Sequence, residues 1–347
     1  MFSFYKLLTR AVFIFGTCLT VWFFAAAPAA ATDSQLFGIH ILHPEEMHEA
    51  ATLLKNDYNR REWNFVTLPL PMSDLTPEGH SRWQNAFNEA HRYRLAPIVR
   101  LVSDFDQEKN AWKVPTRADI MAIFDFLSAL TWPTEKKFVI IYNEPNHASE
   151  WGGQIDPAGY TAVLRFAAAW AHSENLDYWV LPAAMDLAAP NGKSTMEAFN
   201  YLERMLAVDQ SIFSIIDYWN SHSYPNPAFS APASATGKNT LRGFQHELDW
   251  LKNKTGLERR AFITETGWEM NSKTTRKLEE YYRYAVKNIW NDERLVAITP
   301  FVLRGDPGPF AKFTLLDKVG EPTANYEAIQ NVCYDHSEIN AFAVAGF

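Results

Sequence analysis

Residues 138–146 read FVIIYNEPN, and this stretch carries the strongest local signal in the 347-residue chain. Four consecutive apolar residues are typical of a strand buried on both faces, as in a parallel sheet. Proline has no backbone N–H and restricts the residue before it, so the strand must stop by Glu144. Residues 261–268 (AFITETGW) end similarly, with Glu265 before a glycine turn. Both stretches therefore predict a buried strand that ends in an acid.

Short apolar and β-branched runs alternate with segments of helical spacing along the rest of the chain, which predicts parallel strands joined by crossover helices. Eight strands are predicted: Leu36–Leu42, Trp63–Pro71, Leu95–Val102, Phe138–Tyr142, Tyr178–Ala184, Ile215–Tyr224, Arg260–Thr264 and Val296–Leu303. Eight is the number that closes a barrel. A doubly wound open sheet fits the same alternation but usually carries a glycine-rich loop after its first strand. Residues 37–44 (FGIHILHP) contain no such loop, so the sequence favours a single (β/α)8 TIM barrel.

The intervening segments predict helices that follow each strand. They are expected to start near Pro44, Thr76, Thr116, Pro157, Ser194, Leu241 and Thr274, with an eighth from Pro322 to Cys333. Thr76 and Asp156 each precede a proline, and a capping side chain followed by proline at the first helical position is a typical helix start.

The first 31 residues have the composition of an export signal. Lys6 and Arg10 precede an uncharged run, and Ala29–Ala31 offer a small-residue cleavage site. An uncleaved membrane anchor is the alternative, because the apolar run approaches the length of a spanning helix. The sequence thus predicts an exported protein, periplasmic or extracellular, whose barrel occupies residues 32–347. If the signal is cleaved, no stable membrane insertion is expected.

Charge and cysteine content restrict the possible partners and stabilising links. The net charge is −8 for the whole chain and −10 for residues 32–347, because Lys6 and Arg10 lie in the removed segment. A surface this acidic makes nucleic acid an unsuitable partner. Cys18 lies in the signal segment and leaves Cys333 alone, which excludes an intramolecular disulfide in the processed chain. The sequence gives no indication of the oligomeric state.

Glu144 and Glu265 end predicted strands four and seven, so a barrel places both at its carboxyl-terminal rim. Hydrolysis of a glycosidic bond needs two such acids, one to protonate the departing oxygen and one to meet the positive charge at the sugar carbon. Metal chemistry is not indicated, because no His-x-His or His-Glu-x-x-His spacing occurs. No Gly-x-Ser-x-Gly sequence indicates a serine nucleophile either. We therefore expect neither metal nor cofactor.

The motif Asn143-Glu144-Pro145, together with Glu265, resembles the clan of retaining glycoside hydrolases with glutamates at the ends of barrel strands four and seven. The resemblance covers the whole barrel in layout and four short segments in residue identity. It implies that Glu144 is the acid/base, Glu265 the nucleophile, and Asn143 a ligand of the sugar 2-hydroxyl. The segment Asn220–Tyr224 resembles the clan's His-x-Tyr pair, which implies that Tyr224 orients the nucleophile and His222 lines the sugar subsite.

Three further residues are candidate substrate contacts. Trp268 is predicted to stack on a sugar, with packing between helix and strand as the alternative. His40 lies at the end of strand one, in either the subsite or the core. The cellulase-like branch of the clan usually has an arginine near the end of strand two, a histidine in strand three and a tryptophan ending strand eight, and this chain departs from all three. Arg100 in strand three could replace the arginine or form a structural ion pair.

Residues 226–240, rich in Pro, Ala, Ser and Gly, follow strand six on the active-site face and suggest either a lid or a tolerated surface insertion. Taken together, the sequence predicts retaining hydrolysis of a β-linked poly- or oligosaccharide. A non-catalytic carbohydrate-binding barrel that serves polysaccharide export or adhesion is the alternative, and transglycosylation would use the same intermediate.

Overall fold

The computed structural model describes residues 34–55 and 62–332. Within them, eight parallel strands form one sheet in the spatial order β5-β4-β3-β2-β1-β8-β7-β6. The strands are β1 Ser34–His40, β2 Trp63–Pro71, β3 Leu95–Val102, β4 Lys137–Ile141, β5 Tyr178–Pro182, β6 Trp219–His222, β7 Ala261–Glu265 and β8 Leu295–Ile298. Except for β5 and β6, sequence neighbours pair in parallel, and β1 also pairs with β8, so the sheet curls into a barrel.

The seam between β5 and β6 is joined by a few hydrogen bonds instead of a regular ladder. The backbone N–H of Asp217 donates to the Val180 carbonyl over 2.9 Å, and the Asp217 carboxylate accepts from the Val180 N–H over 2.7 Å. The Asn220 amide donates to the carbonyl of Pro182 over 3.1 Å. The barrel is therefore nearly closed, which confirms the predicted (β/α)8 fold and rules out the doubly wound open sheet.

Helices follow the strands as the sequence predicts. They are α1 Met47–Leu53, α2 Pro77–Arg92, α3 Arg117–Ala129, α4 Pro157–Glu174, α5 Ala198–Val208, α6 Gly243–Thr255 and α7 Leu278–Asn288, and a last helix is described over residues 324–332. The side chains of Thr76 and Asp156 accept from the N–H groups of Gly79 and Gly159, which confirms both predicted caps.

Several predicted boundaries were wrong by a few residues. The helices expected near Ser194, Leu241, Thr274 and Pro322 begin two to four residues later, and the sixth and eighth strands are shorter than predicted. A 3₁₀ turn at Thr275–Lys277 precedes α7. In β6, the N–H of Tyr224 bonds back to the carbonyl of His222, so the chain turns after the histidine. Local propensity does not define where such turns end the regular element.

The inside of the barrel is layered. Phe65, Phe138 and Phe262 pack against one another in the lower layer. The backbones of β1 and β2 approach closely there, because a Cβ on Gly38 would lie 2.2 Å from the Phe65 carbonyl oxygen. Above this layer, the buried side chains of Thr67, Thr264, Asn220 and Thr299 form hydrogen bonds within the barrel. An apolar floor and a polar layer thus support the side chains at the carboxyl-terminal rim.

The predicted export signal, residues 1–31, lies outside the described residues, as does Cys333. Within residues 34–55 and 62–332, no helix has the length and apolar character that crossing a membrane requires.

Candidate active site

A cavity of about 670 Å³ opens at the carboxyl-terminal rim of the barrel. This volume lies within the range of ligand-binding pockets in proteins, about 300 to 1,000 Å³. Its wall includes both predicted catalytic acids and several polar neighbours: Arg100, Asn143, Glu144, Glu150, Tyr224 and Glu265. The strand ends that the sequence analysis singled out therefore surround one cavity.

Glu144 is held in an uncommon backbone conformation. Strand β4 ends at Ile141, and Tyr142 and Glu144 both have positive φ, 68° and 29° respectively. Non-glycine residues adopt such angles at a cost of about 1 to 3 kcal/mol when the surroundings enforce them. The buried amide of Asn146 supplies part of this restraint, because it bonds to the backbone of Asp186 and Met196. The loop that carries Glu144 is thereby fixed to the loop after β5.

Glu265 ends β7 and accepts a hydrogen bond on each carboxylate oxygen. Arg100 Nη1 donates to Oε1 over 2.5 Å, and the Tyr224 hydroxyl donates to Oε2 over 3.0 Å. Burial would raise the pKa of Glu265, but the charges of His222 and Arg100 and the hydrogen bond from Arg100 outweigh it and lower the pKa to about 2. Glu265 is therefore an ionised carboxylate that two donors hold in place.

His222 lies between the two glutamates. Its Nδ1 is 2.7 Å from Oε1 of Glu144 and 3.8 Å from Oε2 of Glu265, and the residue is 2% exposed. Burial would lower the pKa of His222, but the charge of Glu265 and the hydrogen bond and charge of Glu144 raise it overall. His222 therefore contacts the acid directly, whereas the sequence analysis placed it on the sugar subsite.

The two carboxylates are close enough to act on one sugar carbon. One oxygen of Glu144, one oxygen of Glu265 and one ring nitrogen of His222 all lie within 4.8 Å of one another. Three such atoms could ligate a metal ion, but the Arg100 guanidinium already neutralises Glu265 and would repel a cation. Glu144 and His222 are hydrogen-bonded to each other. The charge arrangement suits proton transfer better than metal binding.

Asn143 and Arg100 line the cavity beside the acids. Arg100 Nη1 donates to Oδ1 of Asn143 over 2.9 Å as well as to Glu265, so Arg100 forms an ion pair and contributes to the cavity wall at once. The two roles that the sequence left open for Arg100 are therefore compatible. Asn143 Nδ2 donates to Glu150 Oε2 over 3.3 Å, and Glu150 is a cavity residue that the sequence analysis missed.

Trp268 does not have the position that a sugar-stacking residue needs. It is 0% exposed, and its indole N–H donates to the Ala231 carbonyl over 2.8 Å. Its ring packs against Tyr281 and Tyr282 of α7, with ring centroids 5.3 and 4.9 Å away. This placement corrects the stacking prediction in favour of its alternative, packing between helix and strand.

His40 lies beneath the cavity. The ring is fully buried, its Nδ1 is 3.1 Å from the Thr264 carbonyl, and it packs edge-on against Phe301. Burial and the nearby charge of Arg100 lower the pKa of His40 to about 3, so the ring is neutral. The subsite role predicted for His40 does not fit a side chain that has no exposed surface, and the core alternative does.

Aromatic side chains from three loops complete the cavity wall. Trp112 belongs to a two-stranded hairpin, Phe105–Asp106 with Ala111–Trp112, after β3. Phe229 comes from residues 226–240, and Phe310 and Phe313 follow β8. The Phe229 ring packs against Phe313, and Phe229 also bonds through its backbone to Glu269. Residues 226–240 therefore form part of a wall here. No sequence signal distinguished these loop aromatics from core residues.

Comparisons with known proteins locate the fold. No family model matches the chain, and no curated protein matches it significantly. A monomeric β-xylosidase from Caulobacter crescentus CB15 is 13% identical, with a TM-score of 0.63 over 86% of this chain and 68% of that one. A glucosidase from Croceicoccus marinus is 10% identical, with a TM-score of 0.62 over 87% and 68%.

An endo-β-1,4-glucanase from Xanthomonas axonopodis pv. citri is 14% identical, with a TM-score of 0.56 over 86% of this chain and 98% of that one. At sequence identities this low, the structural similarity establishes a common fold and nothing further. The chain therefore has the (β/α)8 barrel fold seen in the structures of this xylosidase, this glucosidase and this glucanase.

Proposed function

We propose that this protein is a retaining glycoside hydrolase that acts on a β-linked glycan, with Glu144 as the acid/base and Glu265 as the nucleophile. The observation that carries the proposal is the approach of the two carboxylates, whose nearest oxygens lie within 4.8 Å. Retaining glycosidases have their carboxyl groups about 5 to 5.5 Å apart, whereas inverting enzymes leave about 6.5 to 9.5 Å for a water molecule.

Each acid has surroundings suited to its role. Glu265 must be ionised to attack the anomeric carbon, and Arg100 and Tyr224 hold it in that form. Glu144 must hold a proton for the departing oxygen and later take one from water, and it is 22% exposed on the cavity side. His222, 2.7 Å from Glu144, orients its carboxyl group.

The reaction follows from these positions as a double displacement. Glu265 Oε forms a bond to the anomeric carbon while the glycosidic C–O bond breaks and Glu144 gives its proton to the leaving oxygen. Water then enters, Glu144 removes its proton, and the water oxygen forms a bond to the anomeric carbon while the bond from that carbon to Glu265 breaks, so the sugar leaves with its original configuration. No cofactor takes part in either step.

The substrate class is proposed from two lines of support. The fold is shared with a β-xylosidase, a glucosidase and an endo-β-1,4-glucanase. The cavity wall combines hydrogen-bonding groups with aromatic rings, a combination that suits the hydroxyl groups and apolar faces of sugars. A neutral β-linked oligo- or polysaccharide is the substrate that fits both.

Export is proposed from residues 1–31 alone, since their charge and hydrophobic pattern match a secretory signal. N-terminal sequencing of the protein recovered from the periplasm or medium tests this proposal. A start after Ala31 supports it, and an intact Met1 in the membrane fraction contradicts cleavage.

The catalytic roles are tested with activated aryl β-glycosides and Glu144→Ala and Glu265→Ala variants. Each variant should lose several orders of magnitude in rate. Azide should rescue both and give glycosyl azides of opposite anomeric configuration. Turnover at the wild-type rate in either variant would contradict the proposal. Absence of release from a broad panel of β-glycosides, with measurable ligand binding, would favour the carbohydrate-binding barrel instead.

A further inference from the structure

We propose that Glu150 is a positioning residue for the reaction, which holds the Asn143 amide so that one of its N–H groups faces the sugar bonded at Glu265. The inference rests on the proposed function. It concerns a further carboxyl group in the cavity wall, six residues beyond the acid/base and not identified by any motif.

Glu150 occupies a restrained turn on the wall of the cavity. It ends the 3₁₀ turn Ala148–Glu150, which follows the loop bearing Glu144. The N–H of Ala148 donates to Ser194 over 2.8 Å, and the N–H of Gly152 donates to Trp112 of the hairpin over 2.7 Å. The turn is thereby attached to two neighbouring loops, so the Glu150 carboxyl group has a defined position.

The orientation of the Asn143 amide follows from its two partners. Arginine has only donors, so the amide oxygen of Asn143 must face Arg100 Nη1, which lies 2.9 Å away. The amide nitrogen then faces the opposite direction and donates to Glu150 Oε2 over 3.3 Å. An amide nitrogen carries two hydrogens, so the second remains for a ligand in the cavity.

These bonds form one chain from the nucleophile to Glu150. Arg100 Nη1 contacts both Glu265 and Asn143, and Asn143 contacts Glu150. Because Asn143 and Glu265 share this donor, the Asn143 amide lies next to the nucleophile, and we infer that it faces the carbon adjoining the one attacked. Hydrogen bonds to the 2-hydroxyl of the sugar strengthen in the transition state of glycoside hydrolysis. The free Asn143 N–H is placed to form this bond.

The charge environment explains why a carboxyl group can serve there. Burial and the charge of Glu144 raise the pKa of Glu150 to about 7, and the Asn143 hydrogen bond and Arg100 partly offset them. Glu265 adds a further negative charge that raises the pKa of Glu150. Lys113 follows the hairpin that contacts the turn, but its ammonium group is paired with Asp104 over 3.7 Å. Glu150 is thus neutral in mildly acidic solution and adds a charge beside Glu144 above about pH 7.

The test compares Glu150→Ala and Glu150→Gln with wild type on an aryl β-glycoside and on its 2-deoxy analogue. Glu150→Ala should lower kcat/KM about 10-fold on the parent substrate, mainly through kcat, and have little effect on the 2-deoxy substrate. Glu150→Gln keeps an oxygen acceptor for Asn143 and should recover activity near pH 6.

Two controls separate positioning from a general structural effect. Glu46 is a buried acid outside the cavity wall, and burial raises its pKa to about 7. Glu46→Gln should therefore leave the kinetics unchanged. The double variant Asn143→Ala/Glu150→Ala should be no slower than Asn143→Ala, since both act on one bond.

Any one of three results would overturn the inference. Glu150→Ala could lose equal factors in kcat/KM on the parent and 2-deoxy substrates, the losses in the double variant could be fully additive, or Glu150→Gln could be as slow as Glu150→Ala. In those cases the wild type still hydrolyses glycosides and the proposed function stands. A wild type without glycosidase activity removes both proposals together.

Discussion

Replacement of Arg100 by methionine should shift the acid limb of the pH profile. Arg100 Nη1 lies 2.5 Å from Glu265 Oε1, and the pKa of Glu265 is about 2. A neighbouring arginine lowers a carboxyl pKa by about 1 to 3 units, so its removal should bring the pKa of Glu265 to between about 3 and 5. As the proposed nucleophile, Glu265 must be ionised, so kcat/KM of the variant should fall as pH decreases through that range, where Glu265 stays charged in the wild type.

The same substitution should lower the plateau rate and the acid stability. Loss of a hydrogen bond between charged groups costs about 1.5 to 3 kcal/mol, or roughly 10- to 100-fold in kcat/KM. The depressed pKa of Glu265 stabilises the fold above its ordinary value of 4.5, and this contribution disappears as pH falls through about 2. Without Arg100 this contribution should be smaller, because the pKa of Glu265 in the folded protein then lies nearer its ordinary value.

The assay is kcat/KM from pH 3 to 9 on an activated aryl β-glycoside, with circular dichroism to verify folding at each pH. Arg82→Met is the matched control, because Arg82 lines the same cavity but pairs with Asp74 and touches neither glutamate. An acid limb that does not move in Arg100→Met, or that moves equally in Arg82→Met, would refute the electrostatic reasoning.

Three other outcomes follow from the site. Tyr224→Phe removes the donor to Glu265 Oε2 and should lower kcat/KM about 10- to 100-fold without loss of folding, and an unchanged rate would exclude the orienting role. Trp268→Phe leaves the Ala231 carbonyl without its hydrogen-bond donor and should lower the free energy of unfolding by about 1 to 3 kcal/mol, measured with urea, while KM stays constant. A raised KM would restore the stacking role. Glycans of uronic acids should be poor substrates above about pH 7 in a comparative hydrolysis screen, because Glu150 is then ionised and faces the cavity without a lysine or arginine ion-pair partner in the described part of the chain; preferred cleavage of an acidic glycan at that pH would contradict this charge argument.

The barrel and its two acids were predictable because they depend on patterns that repeat along the chain. Alternating buried strands and helices specify parallel strands, and parallel strands in a barrel end at one rim. Glu144 and Glu265 are therefore neighbours in space although they lie 121 positions apart in the sequence. Pro145, directly after Glu144, and Gly267, two residues after Glu265, mark the strand ends in the sequence.

Other residues of the site depend on loop geometry, which local patterns do not encode. Trp268 comes directly after the glycine turn at Glu265, a place equally suited to stacking or to packing, and the fold turns its ring toward α7. His40 ends β1, but its side chain is fully buried and does not line the cavity. Glu150 enters the cavity because a 3₁₀ turn directs it there, and nothing in its sequence neighbourhood predicts that turn.

The configuration of the first product tests the central claim most directly. Wild-type enzyme is mixed with an aryl β-glycoside, and proton NMR follows the anomeric signals before mutarotation mixes them. If Glu144 and Glu265 act across one sugar ring as their separation indicates, the β-anomer accumulates first. Initial accumulation of the α-anomer would show that water attacks directly and would contradict Glu265 as the nucleophile.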